Sequence, residues 1–281
     1  MENALGDFLQ TRRARIRPED VGLPPYTRRR VPGLRREEVA QLAGVSVDYY
    51  IRLEQGRGKN VSDAVLDAVA RVLRLDPTEQ QHLRDLAHPA RAAASPAPST
   101  AVRPGVRLLL DNLADRPAMA IDHRMDALAW NSLGDAVHDF TGGAPRNMPR
   151  RVFLDPGAAD VYPDWPAVAA ETVAYLRLHA GRHPDDRRLT ELIGELSVKS
   201  EHFRRLWADH LVREKTYGVK RLIHPVVGEL DLAYETLSLP GDADLTVVVY
   251  TAQPGTPTAE RLAVLASWHA GARPAQRAGQ V

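Results

Sequence analysis

Apolar residues recur at helical spacing through the first third of the chain. Leu5, Phe8, Leu9 and Ile16 mark a first amphipathic helix. Pro18, Pro24, Pro25 and Pro32 exclude a continuous helix through residues 18–33, because proline clashes with the preceding turn and lacks an amide. Arg35–Ala43 repeats Val39, Leu42 and Ala43 as a second helix, and Gly44 ends it, since a helix C-terminus favours a residue free to take positive φ. Ser46 caps a third, Val47–Gln55, with Tyr50 and Leu53 inward and Gly56 as its stop. Ser62 opens a fourth, with Val65, Leu66, Val69 and Leu73 on one stripe. Asp76, Pro77 and Glu79 open a fifth with an N-cap acid, a first-turn proline and a third-position acid, and Pro89 closes it.

The pattern then changes. Residues 89–104 are alanine, serine and proline with almost no large apolar side chain, a composition that cannot offset ordering entropy by burial. We read 1–88 as an all-α five-helix domain, 89–104 as a linker and 105–281 as a second domain. In that domain Pro117–Asp122 and Ala127–Trp130 read as a hairpin, followed by a helix over Ser132–Phe140. Helices are predicted over Trp165–Ala180, Asp186–Leu196 and Ser200–Leu211, and a last one over Thr258–Ala270. Strands are predicted near Tyr217–His224, Glu229–Leu237 and Leu245–Ala252. The sum is an α+β domain, an antiparallel sheet of about five strands covered on one face by helices, with room for a small ligand between layers.

Two helices separated by Ala43-Gly44-Val45-Ser46 have the geometry of a helix-turn-helix: Ala40 small at the crossing, Gly44 turning, Val45 and Tyr50 plugging the core. Val47, Asp48, Tyr49 and Arg52 are left on the outer face of the second helix, the face that enters a major groove. Charge supports a polyanion partner. The chain carries a net charge of +1, yet residues 10–60 hold 12 basic against six acidic side chains.

The stretch Val31 to Arg57 resembles the Cro/C1 (XRE) helix-turn-helix class and, more narrowly, the MmyB-like transcription regulators. Phe153–Pro156, Asp164-Trp165, Gly194–Ser197, Phe203–Trp207, His224–Leu230 and Tyr250–Gly255 extend the likeness through the second domain. The resemblance implies a PAS-like ligand-binding domain associated with fatty acids. It implies that Ser46 caps its helix and faces phosphate, that Val47, Asp48 and Arg52 face bases, and that Glu54 is a buried acid paired with Arg12 or Arg13. Arg52 suits guanine O6 and N7 together. Asp48 either accepts from a cytosine amine or orients Arg52 one turn on. Arg35 and Arg36, beside free amides at a helix start, suit phosphate, and Arg57, Lys59 and Asn60 suit the other strand's backbone. Arg28, Arg29 and Arg30 form either a basic arm or a solvated loop.

An apolar acid would need a dry tube and one cation or donor for its head. By residue type and by position in the resembling motifs, the candidates are Trp130, Asn131, Trp207, His210, Arg221, His224 and Tyr250; the competing reading for each is a packed aromatic or a capped polar group. No cysteine is present, which excludes disulfides and thiolate zinc sites. His179 and His183 have metal-pair spacing, but Gly181 and Pro184 suggest a helix that ends before both rings share a face. No catalytic set, metal site or cofactor is expected. Neither a secretory signal nor a membrane span is read, so a cytoplasmic homodimer on double-stranded DNA is expected. Three classes remain: a ligand-gated regulator, a DNA-binding protein whose second domain dimerises or binds a protein, and an enzyme with a DNA-binding appendage.

Overall fold

The computed structural model describes residues 3–24, 33–57, 61–89 and 102–272. The chain forms two compact units, one gathering Met1–Ala94 with Arg177–Glu191 and Arg205–Glu214, the other Ser95–Leu176, Leu192–Arg204 and Lys215–Val281.

In the first unit, α1 (Ala4–Arg15) leads through a 3-10 turn (Pro18–Val21) to α2 (Arg36–Ala43), α3 (Val47–Glu54), α4 (Asp63–Val72) and α5 (Pro77–Ala87). The five expected helices are all present within a residue or two at their ends, and the 3-10 turn is an addition. Caps explain the starts. Ser46 accepts from the Tyr49 amide, Ser62 from Val65 and Asp76 from Glu79, while Glu79 reaches back to the Asp76 amide at 3.1 Å. Phe8, Leu9, Val39, Tyr50, Leu66 and Leu83 fill the core, joined by Leu178 and Val212 from far along the chain.

The second unit opens with α6 (Pro104–Asn112), then β1 (Ala118–Asp122), β2 (Ala127–Trp130) and α7 (Ser132–His138). The short helices α8 (Met148–Leu154) and α9 (Ala158–Val161) precede α10 (Trp165–Arg182), α11 (Arg187–Lys199) and α12 (Glu201–Ala208), whose residues are shared with the first unit. β3 (Tyr217–His224), β4 (Gly228–Leu239), β5 (Asp242–Thr251) and α13 (Pro257–Ala272) complete the fold. All sheet pairings are antiparallel, in the order β2-β1-β5-β4-β3.

Two expectations need correction. Helices lie on both sheet faces, not one, although the second is covered only in part: Val102, Val106 and Leu110, just before and within α6, pack on Ala118, Ala120 and Val247, while His138 of α7 meets Tyr250 on the other face. The pattern alone hid α6 because it follows directly on a proline-rich segment. Second, the rings of His179 and His183 do share a face, stacked 5.9 Å apart at 7°, because α10 continues to Arg182 despite Gly181.

Candidate DNA interface and sheet-domain interior

The turn between α2 and α3 is built by Gly44 at φ +70°, with its amide on the Gln41 carbonyl at 3.3 Å and the Val45 amide on Ala40 at 3.0 Å. These bonds satisfy the last carbonyls of α2 and aim α3 away from it. Tyr50 and Leu53 are buried; Ser46, Val47, Asp48 and Arg52 are exposed, and Tyr49 is half-buried. Gly56, at φ +68°, ends α3 and leaves Arg57 exposed. Arg28, Arg29, Arg30, Lys59 and Asn60 lie outside the described residues.

Behind α3 sits a buried carboxylate. Glu54 accepts from Arg13 Nε at 2.7 Å and from Arg36 Nε at 2.5 Å, so the arginine of the first helix is Arg13. Arg13 also donates to the Leu34 carbonyl at 2.6 Å, and Asn3 to that of Glu54 at 2.8 Å. α1 approaches so closely that a Cβ on Gly6 would lie 1.9 Å from the Glu54 carbonyl oxygen. Arg36 is thus committed in part to Glu54, and the half-buried Arg35 lies 3.5 Å from Glu37.

Arg12 takes other partners. It donates to the His210 carbonyl at 2.8 Å, lies 3.0 Å from Glu79 and stacks 4.8 Å over Phe8, while Arg15 donates to the Asp209 carbonyl at 2.6 Å. Arg177 stacks 4.0 Å over Trp207, donates to its carbonyl and sits 3.1 Å from His210 Nδ1. Burial, with Arg177 and Arg12 adding repulsion, lowers His82 to about 3. Burial and Arg177 lower His210 to about 4, and burial lowers Arg177 itself to about 10. Trp207 and His210, named as ligand candidates, belong to this cluster of the first unit and are not with the sheet residues.

The other five candidates divide by face. Asn131 is a structural cap: its oxygen accepts from Ala118 and Gly134, and its amide donates to Leu113 and Arg116 at 2.8 and 2.7 Å. His224 bonds the Ala136 carbonyl at 3.0 Å and accepts from the Val226 amide, and burial lowers its pKa. Arg221 is exposed, 2.9 Å from Asp231 and 3.4 Å from Glu229. On its strand Tyr217 and Val219 are 74% and 70% exposed, whereas Lys220, Leu222 and His224 are buried. Trp130 and Tyr250 join the interior ring cluster, through Trp130–Phe140 (4.7 Å), Phe140–His138 (5.3 Å) and His138–Tyr250 (5.6 Å) ring contacts.

Sequence reasoning missed His138, Lys215, Lys220, Tyr162 and Tyr234 in that interior. Lys220 Nζ lies 5.5 Å from the centre of the Tyr162 ring and Lys215 Nζ 5.0 Å from that of Tyr234, which is itself 6.3 Å from the Tyr250 ring. Lys215 is half-buried and Lys220 buried, and burial holds both lysines below their ordinary range. The alternation Lys220-Leu222-His224 on one face of β3 is a signal for Lys220 alone.

Among the described residues no helix is long and apolar enough to cross a membrane. No curated protein matches the chain. Residues 4–83 match the helix-turn-helix domain family, over the span that contains the Gly44 turn and the Glu54 clasp. Residues 102–265 match the MmyB-like transcription regulator ligand binding domain, more than half the chain, so the chain belongs to the MmyB-like transcription regulators.

Proposed function

We propose that this DNA-binding transcription regulator works in the cytoplasm as a homodimer, reads duplex DNA by laying α3 in the major groove, and is controlled by a small apolar ligand such as a fatty acid held in the sheet domain. The observation that carries the DNA reading is the outer face of α3, where Val47, Asp48 and Arg52 are exposed while Tyr50, Leu53 and Glu54 anchor the helix from behind. Arg52 is the base reader in this scheme, with Asp48 one turn before it, and Ser46, Arg35 and Arg57 face the phosphates. Arg52→Ala should weaken specific binding by about 1–3 kcal/mol and relax one base position. A gel-shift competition in which that variant keeps full discrimination would refute the placement.

Control by ligand requires different affinities of the protein for DNA with and without it. Titrating operator DNA against the full chain with and without saturating dodecanoate tests this, and identical curves remove the proposal. The second reading, a sheet domain that only dimerises or docks a protein, is favoured by the exposed Tyr217 and Val219 on β3. Native mass spectrometry separates the two, since a co-purifying lipid supports the first reading and a bare dimer the second.

A further inference from the structure

The five-stranded sheet has two edges, and they are finished differently. β2 is four residues long, and its Ala127 amide donates to the Arg146 carbonyl at 2.8 Å, beside the Asp126–Asn147 bridge. β3, at the other edge, runs eight residues in unbroken antiparallel register with β4. The Thr236 amide donates to the Thr216 carbonyl at 2.8 Å, which fixes the alternation: the even-numbered residues of β3 bond β4. The amides and carbonyls of Tyr217, Val219, Arg221 and Ile223 therefore point away from the sheet, and among the described residues no strand or bridge pairs with them. Proteins commonly blunt such an edge with charge, proline or a bulge. β3 contains no proline and no bulge, and its outward side chains Tyr217, Val219 and Ile223 are 74%, 70% and 39% exposed, with Arg221 as the charge among them.

We infer that β3 pairs with β3 of a second copy of this chain, antiparallel about a two-fold axis at Val219, so that the two sheets join into one. Charge selects both the partner and the register. With Val219 on the axis, Tyr217 lies opposite Arg221 of the second copy, and β4 places Glu235 beside Tyr217, Ala233 beside Val219 and Asp231 beside Arg221. The row through the axis then reads Ala233, Val219, Val219, Ala233. The row on either side reads Asp231, Arg221, Tyr217, Glu235, so no like charges lie opposite one another. Each guanidinium, already 2.9 Å from Asp231, gains an aromatic face and a second acid two strands away. Moving the axis to Lys220 sets two lysines opposite one another, and moving it to Arg221 does the same for the arginines. An unrelated strand would have to bring its own match for Arg221, whereas a second copy supplies one. Three hydrogen-bonded pairs, 217 with 221, 219 with 219 and 221 with 217, exchange about six backbone bonds. The pairing rests on the reading of the regulator as a homodimer and names its surface, and the experiment keeps the two apart.

The chain has no cysteine, so Val219→Cys and Arg221→Cys each introduce a lone thiol. In this register the two Cα atoms at position 219 lie about 5.5 Å apart, within reach of a disulfide. Those at position 221 are offset by four residues, about 13 Å along the strand. Oxidation of the full-length proteins by copper phenanthroline should convert most of Val219→Cys to a species of twice the mass on non-reducing gels, and little of Arg221→Cys. Val198→Cys, at an 82% exposed position on α11, controls for random collision and should also stay single. Val219→Lys, which sets two ammonium groups face to face, should weaken the dimer about 10-fold in sedimentation equilibrium with an unchanged circular dichroism spectrum. If that variant does not fold, the cross-linking alone decides. A wild-type chain that stays monomeric at every concentration tested overturns the homodimer reading and the pairing together. A dimer that Val219→Lys leaves at full strength, or that Val219→Cys fails to cross-link, overturns the pairing and leaves the homodimer standing. Cross-linking through Arg221→Cys in place of Val219→Cys overturns the register.

Discussion

Replacing Glu54 by glutamine keeps the shape of the side chain and removes one charge from a site that two arginines share. The Glu54 side chain is 2% exposed and that of Arg13 10%, so the small values measured for surface ion pairs do not apply. Arg36, 47% exposed, can turn to water. Arg13 cannot; it is left with the Leu34 carbonyl at 2.6 Å and a guanidinium sealed under α1. Removing one partner of a buried pair costs about 3–5 kcal/mol, and because glutamine retains an acceptor the lower end, about 3 kcal/mol, is expected. Domains of this size are stable by about 5–10 kcal/mol, so the loss takes a third or more of what holds the helical unit together. Urea unfolding followed by far-ultraviolet circular dichroism should show the first transition moved down by about 1–3 M. The double variant Arg13→Met, Glu54→Leu should recover most of the loss, since an apolar pair of similar volume has no charge left to strand. A Glu54→Gln cost under about 1 kcal/mol, or a double variant no better than the single, would refute the view that the clasp is a buried pair whose halves need each other.

Burial first, and Lys220 next, hold the Lys215 ammonium well below its ordinary 10.5, so the unfolded chain binds the extra proton at every pH between the lowered value and 10.5. Stability must therefore rise as pH climbs toward that limit, with a slope of up to about 1.4 kcal/mol per pH unit from this group. Lys215→Met should flatten the rise, and identical slopes in denaturation series from neutral to alkaline pH would refute the burial. Residues 1–88 expressed alone lack Leu178 and Val212 from their core and the carbonyls of Asp209 and His210 from Arg15 and Arg12. At about 1.5–3 kcal/mol for each buried apolar side chain, the fragment should fall short of the same helices in the full chain by about 3–6 kcal/mol. Equal urea midpoints would show that the two distant segments contribute nothing.

The helical unit was legible because its signals are local. A cap such as Ser46 or Asp76, a glycine such as Gly44 and a stripe such as Leu66-Val69-Leu73 each act within one or two turns, and each is found where the sequence places it. β3 shows the opposite case. Its limits, Tyr217–His224, agree with the pattern, but the pattern does not say which face is buried. Val219 and Ile223 lie on one face and Leu222 on the other, and the fold turns Gly218, Lys220, Leu222 and His224 inward. A strand's register is set by its partners, here Lys220 opposite Leu232 and Leu222 opposite Leu230, and those pairings are not encoded in β3 itself. Trp207 and His210 were misgrouped for a related reason: nothing near them in sequence says that their partners are Arg177 and Arg12.

Three arginines on one helix turn divide the work of the first unit. Arg13 reaches Glu54 at the C-terminal end of α3, and Gly6, half an α1 away, lets the helix lie against the same residue's carbonyl. Arg12 and Arg15 reach the other way, to the carbonyls of His210 and Asp209. Those two acceptors fall within the residues matched to the ligand binding domain, although they fold with the helices of the helix-turn-helix. His210 takes a left-handed backbone, φ +51°, an uncommon conformation for a residue with a Cβ, held by bonds to both its carbonyl and its ring. A displacement of residues 205–214 must therefore either break the Arg12 and Arg15 bonds or carry α1 with it. Since α1 holds Glu54 from two sides, the second course moves the root of α3, and the outer face bearing Val47, Asp48 and Arg52 turns with it. Packed interiors respond to such shifts by discrete rearrangement rather than smooth bending, so α1 is expected to pass a change at residues 205–214 to the root of α3.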